Sequence, residues 1–435
     1  MSLQIIRLLL SIVTFCIMAT SYCIGDNFIA IYTCPILFFL LFFSFFDKVY
    51  FSPIFLFFIS IFCFVLVRPV YEWVNHDWKK IVSIGLGVNG YNINVVVAFI
   101  MMQVSLITLS YVITLKQAQR LIYYIPLIKY HAKHLSKLLC ISSVALGILF
   151  LYYSYGNMRL LISGGDYFSF LSSFDARYFT LFFLAKYLIV LSILFSKNKD
   201  ISLLLTFLLF IYSIGFILVG LRGYTIAYLF LTLCFISLRY KIKTIYVVLI
   251  AILILFVASY ALSARLSMSL YNNYIDMIFS PILQQGASFE AVFGSVIFRG
   301  DLIKCIDYFQ YFSNSLDFGE CIDKVRGLGN MQGSFASSYF AEVSYLGLFI
   351  GIITNLLFGL ALAIVQSIYE VVRFNFNAGR MSNKAYLIIL FLTIPNLIYF
   401  ARSSAFDFII KVLSLFFIVY IFSMFNYFVN MRPKT

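Results

Sequence analysis

The chain has 435 residues, 63% of them apolar and only 11% charged, and it carries a formal net charge of +14. A soluble globular domain has about 25% charged residues and about half apolar ones, so this composition excludes an ordinary soluble protein. The positive charge does not indicate nucleic-acid binding, because the basic residues lie in short segments between long apolar runs, as they do in membrane proteins.

Apolar runs of about 20 residues recur from one end of the chain to the other, and each can cross a hydrocarbon core of roughly 30 Å. Backbone N–H and C=O groups inside a bilayer must pair within their own segment, so these runs predict helices. The sequence therefore predicts an all-α, polytopic integral membrane protein with about twelve transmembrane helices. The predicted spans are 5–24, 28–46, 50–68, 92–115, 138–155, 178–196, 201–220, 223–238, 244–262, 337–365, 385–401 and 405–429.

The distribution of charge predicts that both ends of the chain lie in the cytoplasm, because cytoplasmic loops of membrane proteins are enriched in Lys and Arg. With the first residues inside, the inner segments contain the acids Asp47, Asp200 and Glu370 but more than half of the 31 basic residues. Those basic residues are Arg7, Lys48, Lys116, Arg120, Lys129, Lys133, Lys137, Lys197, Lys199, Arg239, Lys241, Lys243, Arg373, Arg380, Lys384, Arg432 and Lys434.

The longest hydrophilic segment, 263–336, falls on the outer side between the ninth and tenth predicted spans. A loop of this length is usually functional or disordered, and its many aromatic residues argue against disorder. It contains Cys305 and Cys321, which can form a disulfide if the outer side is an oxidising compartment. The sequence alone leaves their pairing open.

Three arginines lie next to predicted spans on the outer side, where arginine should be rare. They are Arg222 between the seventh and eighth spans, Arg265 just after the ninth, and Arg402 between the eleventh and twelfth. A guanidinium group binds phosphate oxygens with two parallel hydrogen bonds and keeps its charge. Three of them at one surface would suit a pyrophosphate at headgroup level. The alternative for each is a snorkelling side chain or a cap on a helix end.

Glu342 stands at the start of the tenth predicted span and shares a helical face with Ser338 and Tyr345. A carboxylate in a membrane helix is costly, so it indicates a function or a charged partner. Two interpretations stay open at this point. Glu342 is either a general base or the ion-pair partner of one of the arginines.

The sequence shows no motif for a metal or a cofactor, and we expect neither. His76, His131 and His134 are not spaced as a zinc site, and no Asp-x-Asp stands in a loop. The glycine-rich segment 326–333 lacks the Gly-Lys-Ser/Thr of a phosphate-binding P-loop.

Three short segments carry a resemblance to a known family. In 219–223 a Gly-x-Arg-Gly element opens a span, in 342–351 a glutamate precedes Gly-x-x-x-Gly, and in 400–403 an arginine precedes the last span. With these motifs in this order, a dozen spans and a large late outer loop, the chain resembles the Wzy family of O-antigen and oligosaccharide repeat-unit polymerases. The resemblance implies that 1–435 is a single membrane-embedded polymerase domain with 263–336 as its main periplasmic loop.

The resemblance also implies a reaction of lipopolysaccharide biosynthesis at the periplasmic face of the bacterial inner membrane. A growing glycan on undecaprenyl pyrophosphate is transferred to a new lipid-linked oligosaccharide unit, without a metal ion. Glu342 and Arg265 would then be catalytic, and Arg222, Arg402 and Arg299 would bind the pyrophosphate. The implied partners are the lipid-linked oligosaccharide, membrane lipids, a chain-length regulator and a flippase, with no nucleic acid.

Two other functions of the same pathway are alternatives, namely a flippase for the lipid-linked unit and an O-antigen ligase. Transporters usually have two related halves with charges near the midplane, whereas here the halves differ and the charges gather at one face. Related ligases usually have a histidine in the large loop, and residues 263–336 contain none. Both observations favour a polymerase.

Overall fold

A computed structural model describes residues 3–25, 28–46, 49–70, 90–122, 133–164, 178–196, 201–218, 222–263, 288–306, 318, 321–322, 324–325, 338–378, 380 and 383–402. Every regular element in these ranges is helical, as the sequence predicts. The helices are α1 (Leu3–Ile24), α2 (Ile29–Phe45), α3 (Pro53–Ile61), α4 (Gly90–Ile122), α5 (Lys133–Gly164), α6 (Tyr178–Phe195), α7 (Ile201–Leu218), α8 (Arg222–Ser237), α9 (Thr244–Ser263), α10 (Ser288–Ile297), α11 (Arg299–Cys305), α12 (Tyr339–Leu346), α13 (Leu348–Asn377) and α14 (Lys384–Tyr399).

Six helices in the described ranges are long and apolar enough to cross a membrane: Leu3–Ile24, Pro53–Val70, Asn92–Ile122, Lys133–Arg159, Ile201–Leu218 and Leu348–Asn377. Shorter apolar helices lie on five more of the predicted spans, at Ile29–Phe45, Phe179–Phe195, Gly223–Ser237, Thr244–Leu253 and Lys384–Tyr399. The twelfth predicted span, 405–429, lies outside the described residues. The total of twelve spans and the side on which 263–336 lies therefore stay predictions.

Helix α4 is the centre of the described bundle and packs against α1, α2, α10 and α13. Its contact with α13 depends on small residues. A Cβ added to Gly359 would lie 2.5 Å from the carbonyl oxygen of Ile107, and Ser110 Oγ donates to the carbonyl oxygen of Leu356 at 2.7 Å. Small residues allow such close backbone approach in membrane helices, where packing replaces the hydrophobic driving force.

The predicted continuous span at 337–365 is wrong in detail, because the chain forms two helices there. The short helix α12 ends at Gly347, and α13 then runs for 30 residues to Asn377. Gly347 has φ +89° and ψ 171°, a conformation that side-chain-bearing residues rarely adopt. The break turns the chain between the two helices.

The loop 263–336 contributes two helices that pack onto the bundle. Helix α10 contacts α4, α12 and the π-helical turn Phe62–Leu66 that continues α3, and its Glu290 forms an ion pair with Arg68. A disulfide joins Cys305, the last residue of α11, to Cys321, with Cα atoms 5.8 Å apart. The pairing that the sequence left open is therefore formed in the structure.

Candidate functional site

Helix α12 lies at the centre of the candidate site, because one of its ends is next to Arg402 and the other is next to Arg299. All eight of its residues, Tyr339–Leu346, are buried. Just before it, Ser338 Oγ donates a hydrogen bond to the carbonyl oxygen of Ala401 at 2.8 Å, which places the start of the helix beside Arg402. Its far end, at Gly347, lies against Arg299.

Glu342 lies in the first turn of α12 and is only 1% exposed. The amide of Glu342 donates to the carbonyl oxygen of Ser338 at 3.1 Å, and Ser338 is the extended residue that precedes the helix. The positive end of the helix dipole favours an anion in the first turn. A carboxylate buried this deeply in a membrane protein is costly to keep, which makes Glu342 the strongest candidate for chemistry among the described acids.

The turn that carries Arg402 packs against the start of α8, which begins with Arg222. The amide of Arg402 donates to the carbonyl oxygen of Tyr399 at 2.9 Å. Gly223 is in contact with the Tyr399 hydroxyl and has no room for a Cβ. The fold thus brings together the chain segments of Arg222 and Arg402. The side chain of Arg222, and Arg265 as a whole, lie outside the described residues.

Arg299 occupies the opposite end of α12. Its Nη2 donates to the carbonyl oxygen of Tyr345 at 3.5 Å, and a Cβ on Gly347 would lie 2.8 Å from the same nitrogen. Its Nε atom is buried and has no hydrogen-bond partner within the described ranges. Eight helical residues span about 12 Å at 1.5 Å per residue, so Arg299 and Arg402 stand at separate ends of α12 and not side by side.

The loop is attached to this end of α12 by further contacts. The Tyr345 hydroxyl donates to the carbonyl oxygen of Ile306 at 2.9 Å, and the rings of Tyr345 and Phe318 meet at a centroid distance of 5.3 Å. Ser344 Oγ donates to the carbonyl oxygen of Ser295 at 3.3 Å. Together with the Cys305–Cys321 disulfide, these contacts fix the position of Arg299 relative to α12.

Sequence reasoning missed a polar group inside the bundle, formed by Gln103 of α4, Asn355 of α13 and Tyr339 of α12. The Tyr339 hydroxyl donates to Asn355 Oδ1 at 3.1 Å, and Asn355 Nδ2 donates to Gln103 Oε1 and to the carbonyl oxygen of Gly351. All three side chains are buried. The sequence did contain a signal for this group: Gln103 and Asn355 are amide side chains in otherwise apolar spans, and such side chains often form hydrogen bonds between membrane helices.

A cavity of about 210 Å³ lies between Gln103 and Arg299. Its wall is formed by Tyr22, Phe99, Met102, Gln103, Val296, Arg299, Val343, Ser344, Gly347, Leu348 and Gly351. Within the part of the chain that the structure describes, no three His, Cys, Asp or Glu side chains come together as a metal site.

The comparisons with known proteins agree with the motifs. The sequence model of a family described as "O-antigen polysaccharide polymerase Wzy" matches residues 3–321. The chain belongs to the Wzy family. A protein of Escherichia coli described as "O-antigen polymerase" is 40% identical over 367 residues, which cover 82% of this chain and 79% of the relative. No solved structure matches this Wzy protein. The family resemblance drawn from the sequence is confirmed.

Proposed function

We propose that this Wzy protein polymerises undecaprenyl-pyrophosphate-linked oligosaccharide units into O-antigen or a similar surface polysaccharide at the periplasmic face of the inner membrane. O-antigen polymerisation follows from the family and from the related O-antigen polymerase. The structural observation that carries the proposal is the buried Glu342 on α12, with Arg402 and Arg299 at the two ends of that helix.

Two observations support a periplasmic position for this end of the bundle. The Cys305–Cys321 disulfide belongs to the loop that holds Arg299, and disulfides persist in the bacterial periplasm but are rare in the cytoplasm. The basic residues concentrate in the segments predicted to lie at the opposite face, in agreement with the positive-inside rule.

The proposed reaction breaks the bond between the anomeric carbon of the growing glycan and its pyrophosphate. The electron pair of that bond leaves with the pyrophosphate oxygen, so negative charge develops on the leaving group. Arg222 and Arg402 are proposed to stabilise this charge, because arginine forks match phosphate oxygens and preorganised donors lower the barrier where charge develops. Arg299 is the third proposed pyrophosphate ligand.

The acceptor hydroxyl of the new unit must lose a proton as it attacks the anomeric carbon. We propose Glu342 as the base that takes this proton, since a carboxylate on a buried helix turn is held in place and shielded from water. Arg265 is proposed as a second catalytic residue that orients the reacting groups. The energy comes from the glycosyl pyrophosphate bond, so the proposed mechanism uses no metal ion and no cofactor.

The whole chain, 1–435, is proposed to work as one membrane-embedded domain, with 263–336 as its main periplasmic loop. Its proposed partners are the lipid-linked oligosaccharide, the surrounding lipids, and a chain-length regulator and flippase of the same pathway. No nucleic acid takes part in this proposal.

Deletion of the gene should leave lipopolysaccharide that carries the core plus a single repeat unit, because transport and ligation of one unit do not need the polymerase. A silver-stained gel of lipopolysaccharide from the deletion strain measures this directly. Restoration of the ladder by a plasmid copy is the control. Bare core without any unit would contradict the proposal and would indicate a flippase or a ligase instead.

A further inference from the structure

The cavity beside Arg299 is separate from the turn that carries Arg402, because the two lie at opposite ends of α12. It is bounded by α1, α4, α10, α11, α12 and α13, with Tyr22 and Phe99 among its lining residues. Its volume of about 210 Å³ is below the roughly 300–1,000 Å³ of pockets that enclose a drug-sized ligand. It therefore suits a group as small as one phosphoryl group or one sugar ring.

The hydrogen bonds behind the cavity fix the orientation of the Gln103 amide. A carbonyl oxygen only accepts hydrogen bonds, so the Asn355 atom that lies 2.8 Å from the Gly351 oxygen must be the Nδ2 donor. The same Nδ2 also contacts Gln103, so the Gln103 atom that faces it must be the Oε1 acceptor. Gln103 Nε2 is then the donor that this side chain has left for another partner, and Gln103 is one of the residues that line the cavity.

The cavity is thus lined by two side chains that carry N–H donors, the Arg299 guanidinium and the Gln103 amide. The guanidinium is a cation. Gly347 keeps space for the Arg299 guanidinium, since a Cβ there would lie 2.8 Å from Nη2. Among the described residues that line the cavity there is no Asp or Glu. A guanidinium and an amide donor at one small cavity favour an oxyanion as ligand, because its oxygens accept hydrogen bonds from both and its charge complements the cation.

We propose that this cavity binds the phosphoryl group of the second lipid-linked unit, with Arg299 and Gln103 as its hydrogen-bond donors and Asn355 as the positioning residue for Gln103. The inference rests on the proposed function, which needs two lipid-linked substrates at the same time. Arg222 and Arg402 then hold the pyrophosphate that leaves, whereas Arg299, the third proposed pyrophosphate ligand, holds the pyrophosphate of the other unit. Glu342, on the helix between them, stands where the two substrates would meet.

The test is the stoichiometry with which the purified full-length protein in detergent binds radiolabelled undecaprenyl phosphate. Two sites per chain are expected for the wild type and one site for Gln103→Glu. The new carboxylate still accepts from Asn355 but turns a negative oxygen toward the phosphate. Gln103→Met, which removes the donor without adding charge, should weaken the second site roughly ten- to a hundred-fold, as expected for a lost hydrogen bond to a charged group.

A matched control is Gln366→Met, which removes a buried side-chain amide of α13 that contacts Glu370 and the amide of Ile54 and does not line the cavity. It should leave both sites intact, and equal thermal stability of the two Met variants would show that the loss is local. Undecaprenol and inorganic phosphate are the comparison probes. Undecaprenol should fail to occupy the second site because it lacks the anion. Inorganic phosphate should bind there far more weakly than undecaprenyl phosphate because it lacks the lipid.

Several outcomes would overturn the inference. They are a single site in the wild type, two sites of unchanged affinity in Gln103→Glu, filling of the second site by undecaprenol, or equal affinity for inorganic phosphate. Retention of both sites by Gln103→Glu would show that Gln103 does not contact the phosphoryl group. If the wild type polymerises but binds a single lipid, only this inference is refuted. If the wild type binds two lipids but never polymerises, the proposed function is refuted.

Discussion

Glu342→Gln should abolish the polymer ladder while the variant accumulates in the membrane and still binds the lipid-linked unit. Glutamine keeps the shape of glutamate but cannot take a proton from the acceptor hydroxyl. Loss of a general base slows a reaction by roughly 100- to 10,000-fold. The measurement is the polymerisation rate of the purified variant, with the lipid-linked unit as substrate and a gel as readout.

A matched control for this variant is Glu370→Gln, which changes an exposed carboxylate of α13 in a segment predicted to be cytoplasmic. That variant should polymerise at the wild-type rate. If Glu342 only orients a neighbouring arginine, Glu342→Gln should keep appreciable activity, because a neutral amide still accepts a hydrogen bond. A wild-type rate in Glu342→Gln would remove this residue from the chemistry altogether.

Arg402→Ala is the second variant for which we expect a very large effect. The change removes a cation from the turn that Ser338 ties to α12, where the leaving pyrophosphate is proposed to gain charge. Loss of one preorganised donor at a developing charge costs roughly 100- to 1,000-fold in rate. Arg402→Lys should recover only part of the activity, because lysine keeps the charge but lacks the bidentate fork. The readout is the polymer ladder of complemented deletion cells.

Arg239→Ala provides the control for the loss of a single arginine. Arg239 stacks over the ring of Phe376 at 4.8 Å, in a segment predicted to lie on the cytoplasmic side, so its removal should leave the ladder unchanged. A normal ladder from Arg402→Ala at equal protein level would end the proposed role of Arg402 in binding pyrophosphate.

The long apolar helices of this protein could be predicted from sequence because a bilayer imposes a single rule on the backbone. Each apolar run must pair its own N–H and C=O groups, so the length of a run alone predicts a helix such as α7, which spans Ile201–Leu218 where 201–220 is predicted. The break at Gly347 could not be predicted in this way. Glycine is frequent inside transmembrane helices, so Gly347 does not by itself indicate a break. Its positive φ and its closeness to Arg299 are known only from the structure.

The site was predictable only where a charge interrupts an apolar run, as at Glu342 and Arg402. Arg299 lies in the loop, where charges are ordinary, so it was expected at the site only from the family resemblance. Its position against Gly347 and the cavity comes from the structure. Gln103 and Asn355 lie 252 positions apart in the chain. Their hydrogen bond follows from the packing of α4 on α13, which residue spacing cannot reveal.

The most direct test of the account is polymerisation by the purified full-length protein from a single kind of lipid-linked repeat unit, in the presence of a metal chelator. The account predicts a ladder of lengthening lipid-linked glycans, with one undecaprenyl pyrophosphate released for each unit added and no loss of rate on chelation. The central claim would be contradicted if the wild type left the substrate unchanged although it binds the substrate as well as Glu342→Gln does.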